Sequence, residues 1–139
     1  MEPQSLVSEA RIDAAQQVLG FDLPQDYRDF LLTQNGREWW TDSGEFVQLY
    51  PLDILLELSE TIATDGGLRT THPGLVVIGG DGSREVLAYD TRRARPPLVL
   101  VDLTSNGWHE ALFQANSLTE FLRDVEIRGW DFQTAYEVG

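Results

Sequence analysis

Three apolar runs rich in Val, Leu and Ile follow one another at residues 75–79, 85–90 and 98–103, with no helical pattern between them. Their separators are turn chemistry. Gly80-Asp81-Gly82-Ser83 divides the first two runs, and Arg92-Arg93-Ala94-Arg95-Pro96-Pro97 divides the second from the third. Asn106-Gly107 is a further hairpin signal and predicts that residues 108–113 return antiparallel to 98–103. Hairpin-linked strands of this kind build an antiparallel sheet. The pattern disfavours the alternating strand–helix order of a nucleotide-binding parallel sheet.

Helical signals flank these strands. Ser8 can cap a helix that runs from Glu9 to a stop at Gly20, with Ile12, Ala15 and Leu19 forming a narrow apolar stripe. Pro24 suits the first turn of a second helix, and Asp26 lies near its positive end. Tyr27, Phe30, Leu31 and Gln34 follow at helical spacing, and Asn35-Gly36 tolerates the positive φ of a helix end. Residues 9–35 are therefore predicted as a helical pair about the corner Phe21-Asp22-Leu23. Residues 37–44 read as a loop carrying adjacent Trp39 and Trp40, residues 45–50 as a short strand, 52–62 as a third helix, and 64–74 as a polar loop. Ser117 and Glu120 form a capping box that opens a last helix with Leu118, Phe121, Leu122 and Val125. Beyond Gly129, Trp130, Phe132 and Tyr136 predict a tail that packs back on the domain. The expectation is a single α+β domain over residues 1–139, a mainly antiparallel sheet packed with N-terminal and C-terminal helices. At this length, roughly 68% of the unfolded surface can be buried without disulfides.

Charge restricts the partners. The chain has 23 acidic and 10 basic side chains, all of the latter Arg, for a net charge of −13. A phosphate backbone or an anionic membrane face requires a basic surface, so neither is expected as a direct partner. A basic protein is the complementary expectation. Residues 75–103 are neutral, whereas 1–36, 37–74 and 104–139 carry −4, −5 and −4. The acid thus flanks the predicted sheet, as it would on a solvated rim. Residues 1–20 lack a basic start and an apolar core, and no apolar run approaches ~18 residues. A cytoplasmic protein is the expectation.

Catalytic patterns are wanting. Absent Cys and Lys exclude thiol and lysine Schiff-base chemistry. Residues 80–85 fail the nucleophile-elbow, dinucleotide and P-loop patterns. Asp81, Ser83 and Glu85 alternate like the start of a calcium loop, but the remaining ligands are missing, and a tight turn is the simpler role. His72 precedes Pro73 in a polar loop and is expected to be exposed. His109, between Trp108 and Glu110, reads as a strand residue, or as a base tuned by its neighbour. Arg92, Arg93 and Arg95 read as a phosphate clamp or as a plain polar loop. No catalytic residue, cofactor or metal is expected. Trp39 and Trp40, with Glu38, Asp42 and Glu45, read either as an aromatic and acidic binding patch or as a plug between the second helix and the sheet. The candidate partner contacts lie on loops and strand ends: Trp39, Trp40, Asp42, Glu45, Asp65, Asp81, Glu85, Trp108 and Glu110.

Ile12-x-x-Ala15, then Leu19-Gly20-Phe21-x-Leu23-Pro24-x-Asp26-Tyr27-Arg28-x-Phe30-Leu31 and Asn35-Gly36, resembles the opening signature of the SUKH superfamily. Ile78-Gly79-Gly80-Asp81-Gly82 with Tyr89-Asp90 resembles its central strand-turn-strand, and Ala115-x-Ser117-Leu118-x-Glu120-Phe121-Leu122 its closing helix. The similarity spans about residues 9–125. It implies an α+β fold and a bacterial immunity protein, generally not an enzyme, that binds and neutralises a polymorphic toxin, often a nuclease. A basic toxin domain would suit the acidic surface. The alternative it implies, after the yeast glucan-synthesis regulator of the same group, is a cytoplasmic scaffold or regulatory module for an endogenous partner. Leu23, Pro24, Tyr27, Phe30 and Gly36 read as fold-making residues within the motif.

Overall fold

The computed structural model describes residues 7–64 and 68–136. A six-stranded antiparallel sheet lies at its centre, each strand paired with its sequence neighbours: β1 (Arg37–Trp40), β2 (Phe46–Leu49), β3 (Leu75–Gly80), β4 (Glu85–Asp90), β5 (Leu98–Asp102) and β6 (Leu112–Ala115). The helices are α1 (Glu9–Leu19), α2 (Gln25–Thr33), α3 (Leu52–Thr64), the single turn α4 (Leu68–Thr71) and α5 (Leu118–Arg128).

Alternation along the strands sorts the side chains onto two faces. Val47, Leu49, Val76, Ile78, Leu87, Tyr89, Leu98 and Leu100 form one face, packed against Ile12, Tyr27, Leu31, Leu55, Phe121 and Val125 of the helices. Leu75, Val77, Val86, Ala88, Val99 and Val101 form the other, covered by Leu68, Trp108, Ala111 and Tyr136. Strands buried on both faces must be apolar throughout, which is why the sheet segment reads as continuous hydrophobic runs. Each fully buried Leu, Ile or Val contributes roughly 1.5–3 kcal/mol to the folded state.

The motif residues make joints. The Ser8 side chain accepts from the Arg11 N–H at 3.2 Å, and Gly20 closes α1 with φ 67°. Pro24 is the N-cap of α2 rather than a residue of its first turn. Asn35 has φ 45° and is buried, and its Oδ1 accepts from the Leu52 N–H at 2.9 Å, joining the end of α2 to the start of α3. A side chain on Gly36 would bring Cβ to 3.0 Å from the Pro51 nitrogen. Gly79 and Gly80 follow a register shift of β3 at Ile78, and a Cβ there would run into the Gln48 and Glu85 carbonyl oxygens respectively. At α5, the Ser117 Oγ accepts from the Glu120 N–H at 3.1 Å. Glu120 reaches back to the Asn116 N–H, also at 3.1 Å, one residue earlier than the standard box.

Several expectations are corrected. Residues 37–40 are a strand, not a loop: they pair with 46–49, and the hairpin turns through Asp42-Ser43-Gly44, with Gly44 at φ 91°. The polar stretch 64–74 contains α4. Residues 108–110 form a 3₁₀ turn, and pairing with β5 begins only at Leu112, because Trp108 is drawn away to the Pro73 carbonyl, Nε1 to O 3.0 Å. His72 is 0% exposed rather than a surface residue. Its Nε2 lies 3.0 Å from the Ser105 Oγ and its Nδ1 2.7 Å from the Thr71 Oγ1, with Trp108 edge-on at 5.2 Å. His109 is exposed and belongs to the 3₁₀ turn, not to a strand. The tail does pack back through Trp130 and Tyr136, but Phe132 is 53% exposed.

Candidate partner-binding surface

An antiparallel meander returns every odd-numbered connection to the same end of its sheet. The β1–β2 hairpin and the β3–β4 turn therefore share a rim, together with the end of β5. Trp40, Asp42, Glu45, Asp81 and Glu85 gather there. A Cβ on Gly82 would stand 2.9 Å from the Phe46 ring, so the hairpin and the turn are in direct proximity.

Adjacent residues of β1 face opposite ways, so Trp39 lies on the helix face and Trp40 on the second face. The Trp39 Nε1–H donates to Glu126 of α5 at 2.6 Å, and the Arg37 guanidinium lies 4.0 Å above its ring. The other oxygen of Glu126 accepts the Asp42 N–H at 3.1 Å, which fixes the hairpin to α5. Trp40 is 72% exposed, with its ring 5.3 Å from that of Phe46. Large aromatics presented in this way are the characteristic anchors of protein interfaces.

The carboxylates of the rim differ in state. Asp81 accepts from the Ser83 and Glu85 N–H groups at 2.8 and 3.1 Å, so its side chain closes the turn. Glu85 stands opposite Asp102 in the β4–β5 register. Burial, and then the charges of Asp102 and Asp81, push its carboxyl up to about 7. Asp102 is held below the usual carboxylate range by the Thr104 hydroxyl and N–H, at 2.6 and 2.8 Å. Arg84 lies 3.5 Å from Asp102.

Two sequence candidates fall elsewhere. Trp108 is 5% exposed and belongs to the core of the second face. Glu110 is exposed, but its segment folds back across that face; it accepts the Asn106 N–H at 2.7 Å, which holds its carboxyl low. Asp65 lies outside the described residues. Phe46, Asp102 and Glu126 belong to the rim and were missed. The hairpin register places Asp102 beside Glu85, but no local signal links Glu126 to a tryptophan 87 positions earlier.

The arginine loop at the opposite end of the sheet serves the fold. Asp90, 0% exposed, receives Arg92 through Nε at 2.9 Å and NH2 at 2.8 Å, and accepts the Tyr136 O–H at 2.5 Å. The Arg93 Nε–H donates to the Tyr136 oxygen at 2.6 Å. Two of the three guanidiniums of the conjectured phosphate clamp thus anchor the tail. No helix among the described residues is long and apolar enough to cross a membrane.

The model of the SMI1 / KNR4 family (SUKH-1) matches residues 6–124. No curated protein matches the chain. The match takes in every strand and the first part of α5, and leaves out the tail that carries Trp130 and Tyr136.

Proposed function

The chain belongs to the SMI1 / KNR4 family (SUKH-1), and from that membership we propose that it is a non-enzymatic immunity protein of the bacterial cytoplasm. Its partner is a protein, a polymorphic toxin domain with a basic surface, such as a nuclease. The observation that carries this reading is Trp40, exposed at the β1 end of a rim that also holds Asp42, Glu45, Asp81, Glu85 and Asp102. Acidic side chains steer a basic partner to the rim, and the aromatic supplies apolar area on contact. A surface that a nuclease uses to grip phosphate would be occupied by this rim, so that inhibition follows from competition for charge.

Co-expression tests the reading. Cells carrying a toxin domain encoded beside this chain should survive with the wild-type protein. They should lose protection with a variant combining Trp40→Ala, Asp42→Asn and Glu45→Gln, whose melting temperature should stay near wild type. Protection that is indifferent to the triple substitution removes the rim. If no toxin domain is neutralised and a resident cytoplasmic protein is bound instead, the chain is a scaffold or regulatory module.

A further inference from the structure

A six-stranded open sheet has two edges, and this chain treats them differently. The outer edge of β6 is closed by the tail. Leu112 bridges Ala135 in antiparallel fashion, the Phe113 N–H donates to the Thr134 carbonyl at 2.9 Å, and the Tyr136 N–H donates to the Ala111 carbonyl at 3.0 Å. These tail residues lie beyond the family match and are held down by the Tyr136–Asp90 hydrogen bond. The outer edge of β1 has no such cover among the described residues.

Hairpin phase shows which peptide groups are left there. Thr41 stands opposite Glu45, and its N–H donates to the Glu45 carbonyl at 2.8 Å. Bonded pairs alternate with non-bonded ones in an antiparallel ladder. Residues 37 and 39 therefore bond to β2, while the N–H and C=O groups of Glu38 and Trp40 point outward. The side chains of Glu38 and Trp40 share the second face with Phe46 and Gln48. The cover of that face is built from Leu68, Trp108 and Tyr136 and lies over β3 to β5. Unpaired edges invite strand addition, and natural proteins block them with covers, bulges, lysines or prolines. Among the described residues β1 has no cover, bulge, lysine or proline; it is short, four residues with Arg37 and Glu38, and it presents the most exposed aromatic ring of its hairpin.

We propose that β1 is a docking edge to which a basic partner adds a strand. The proposal rests on the partner-binding reading and names its mode. The added strand pairs with the outward peptide groups of Glu38 and Trp40, which gives affinity without regard to sequence. Every second side chain lies against the Trp40 ring, where an arginine or an apolar residue fits. Cationic residues lie toward Glu38 and Asp42. A second copy of this chain is a poor occupant, because each copy carries −13 and two such copies repel.

The test uses the full chain and an amide-capped peptide of alternating Arg and Val, with a control peptide N-methylated at alternate residues. Titration followed by amide hydrogen exchange should slow exchange at Glu38 and Trp40 and leave Trp39 unchanged. The methylated peptide should bind about tenfold more weakly, as expected for the loss of a hydrogen bond or more. Glu38→Pro removes only an outward N–H and should weaken binding well beyond Glu38→Gln, at an unaltered fold. Equal binding of the two peptides, failure of the plain peptide to bind, or protection elsewhere than β1 overturns the docking edge. Sedimentation showing a dimer of the free chain that Glu38→Pro dissociates overturns the proposed occupant. None of these outcomes depends on a toxin, so failure of the immunity reading would leave the edge measurement standing.

Discussion

Replacing Glu85 by Gln should stabilise the protein at alkaline pH and do nothing for it in acid. Glu85 ionises at about 7 in the folded chain, against 4.5 for an unhindered glutamate. As pH rises from 4.5 to 7, the unfolded chain releases this proton before the folded chain does. The native state then binds more protons than the unfolded one, so this group's contribution to stability declines through that window. The gap corresponds to at most about 3 kcal/mol. Solvent reaches the rim and screens the neighbouring charges, so about 1–2 kcal/mol is the expected size. That equals a shift in Tm of roughly 5 °C for a domain of this length. Gln keeps the hydrogen-bonding capacity toward Asp102 and cannot ionise. Urea unfolding of both proteins at closely spaced pH values from 4 to 8.5 gives the difference directly. The difference should be flat below pH 4.5, grow between 4.5 and 7, and be flat again above. A difference that does not change with pH would refute the shared environment of Glu85, Asp102 and Asp81.

Asp90→Asn leaves Arg92 and the Tyr136 hydroxyl without their buried carboxylate and should cost about 3–5 kcal/mol in urea unfolding. Tyr136→Phe should cost about 1–2 kcal/mol, and the double variant less than the sum, because both act on one network. Gly79→Ala sets a Cβ against the Gln48 carbonyl oxygen and should cost about 3 kcal/mol or more, read as loss of near-ultraviolet dichroism well below the wild-type melting temperature. Burial lowers the pKa of His72 below 6.5, so below that pH the unfolded chain takes up a proton that the fold refuses. Stability should therefore fall as the pH drops below 6.5, opposite in sign to the effect of Glu85. His72→Gln should flatten that branch in a melting series from pH 5 to 7.5.

Features that are local in sequence can be read from it. Asn35-Gly36 carries its own backbone preference, and Ser117 with Glu120 carries its own cap, so each joint is legible in a few consecutive residues. The three central strands are legible for another reason: burial on both faces confines charged residues to the strand ends, Glu85, Asp90 and Asp102. What failed needed a distant partner. His72 looks polar until Ser105, 33 positions later, is brought beside it. Trp108 has the chemistry of a strand residue, but the Pro73 carbonyl, 35 positions earlier, holds it in a turn. β1 is four residues long and too short to show alternation, so its pairing is visible only once β2 is in register. The rim is half legible, because turns are recognisable in sequence while the order of strands that gathers them is not.

The double tryptophan follows from the period of a strand. Consecutive residues point to opposite faces, so Trp39 and Trp40 cannot both enter the core beneath α5. Trp39 takes the inner position and is tied to Glu126. Trp40 is then exposed unless something covers the second face above β1, and the cover of Trp108 and Tyr136 lies over β3 to β5. Glycine or alanine at residue 40 would leave the pairing of β1 with β2 intact and remove the exposed ring, so the fold has no need of it. A large apolar side chain at a position the core does not use, on an edge the tail does not close, is what the proposed docking edge would use. Trp40→Ala should therefore leave the melting temperature within a few degrees of wild type, as surface changes do. Its measurable effect should fall on binding. A large loss of stability in that variant would place Trp40 among the fold-making residues and withdraw it from the rim.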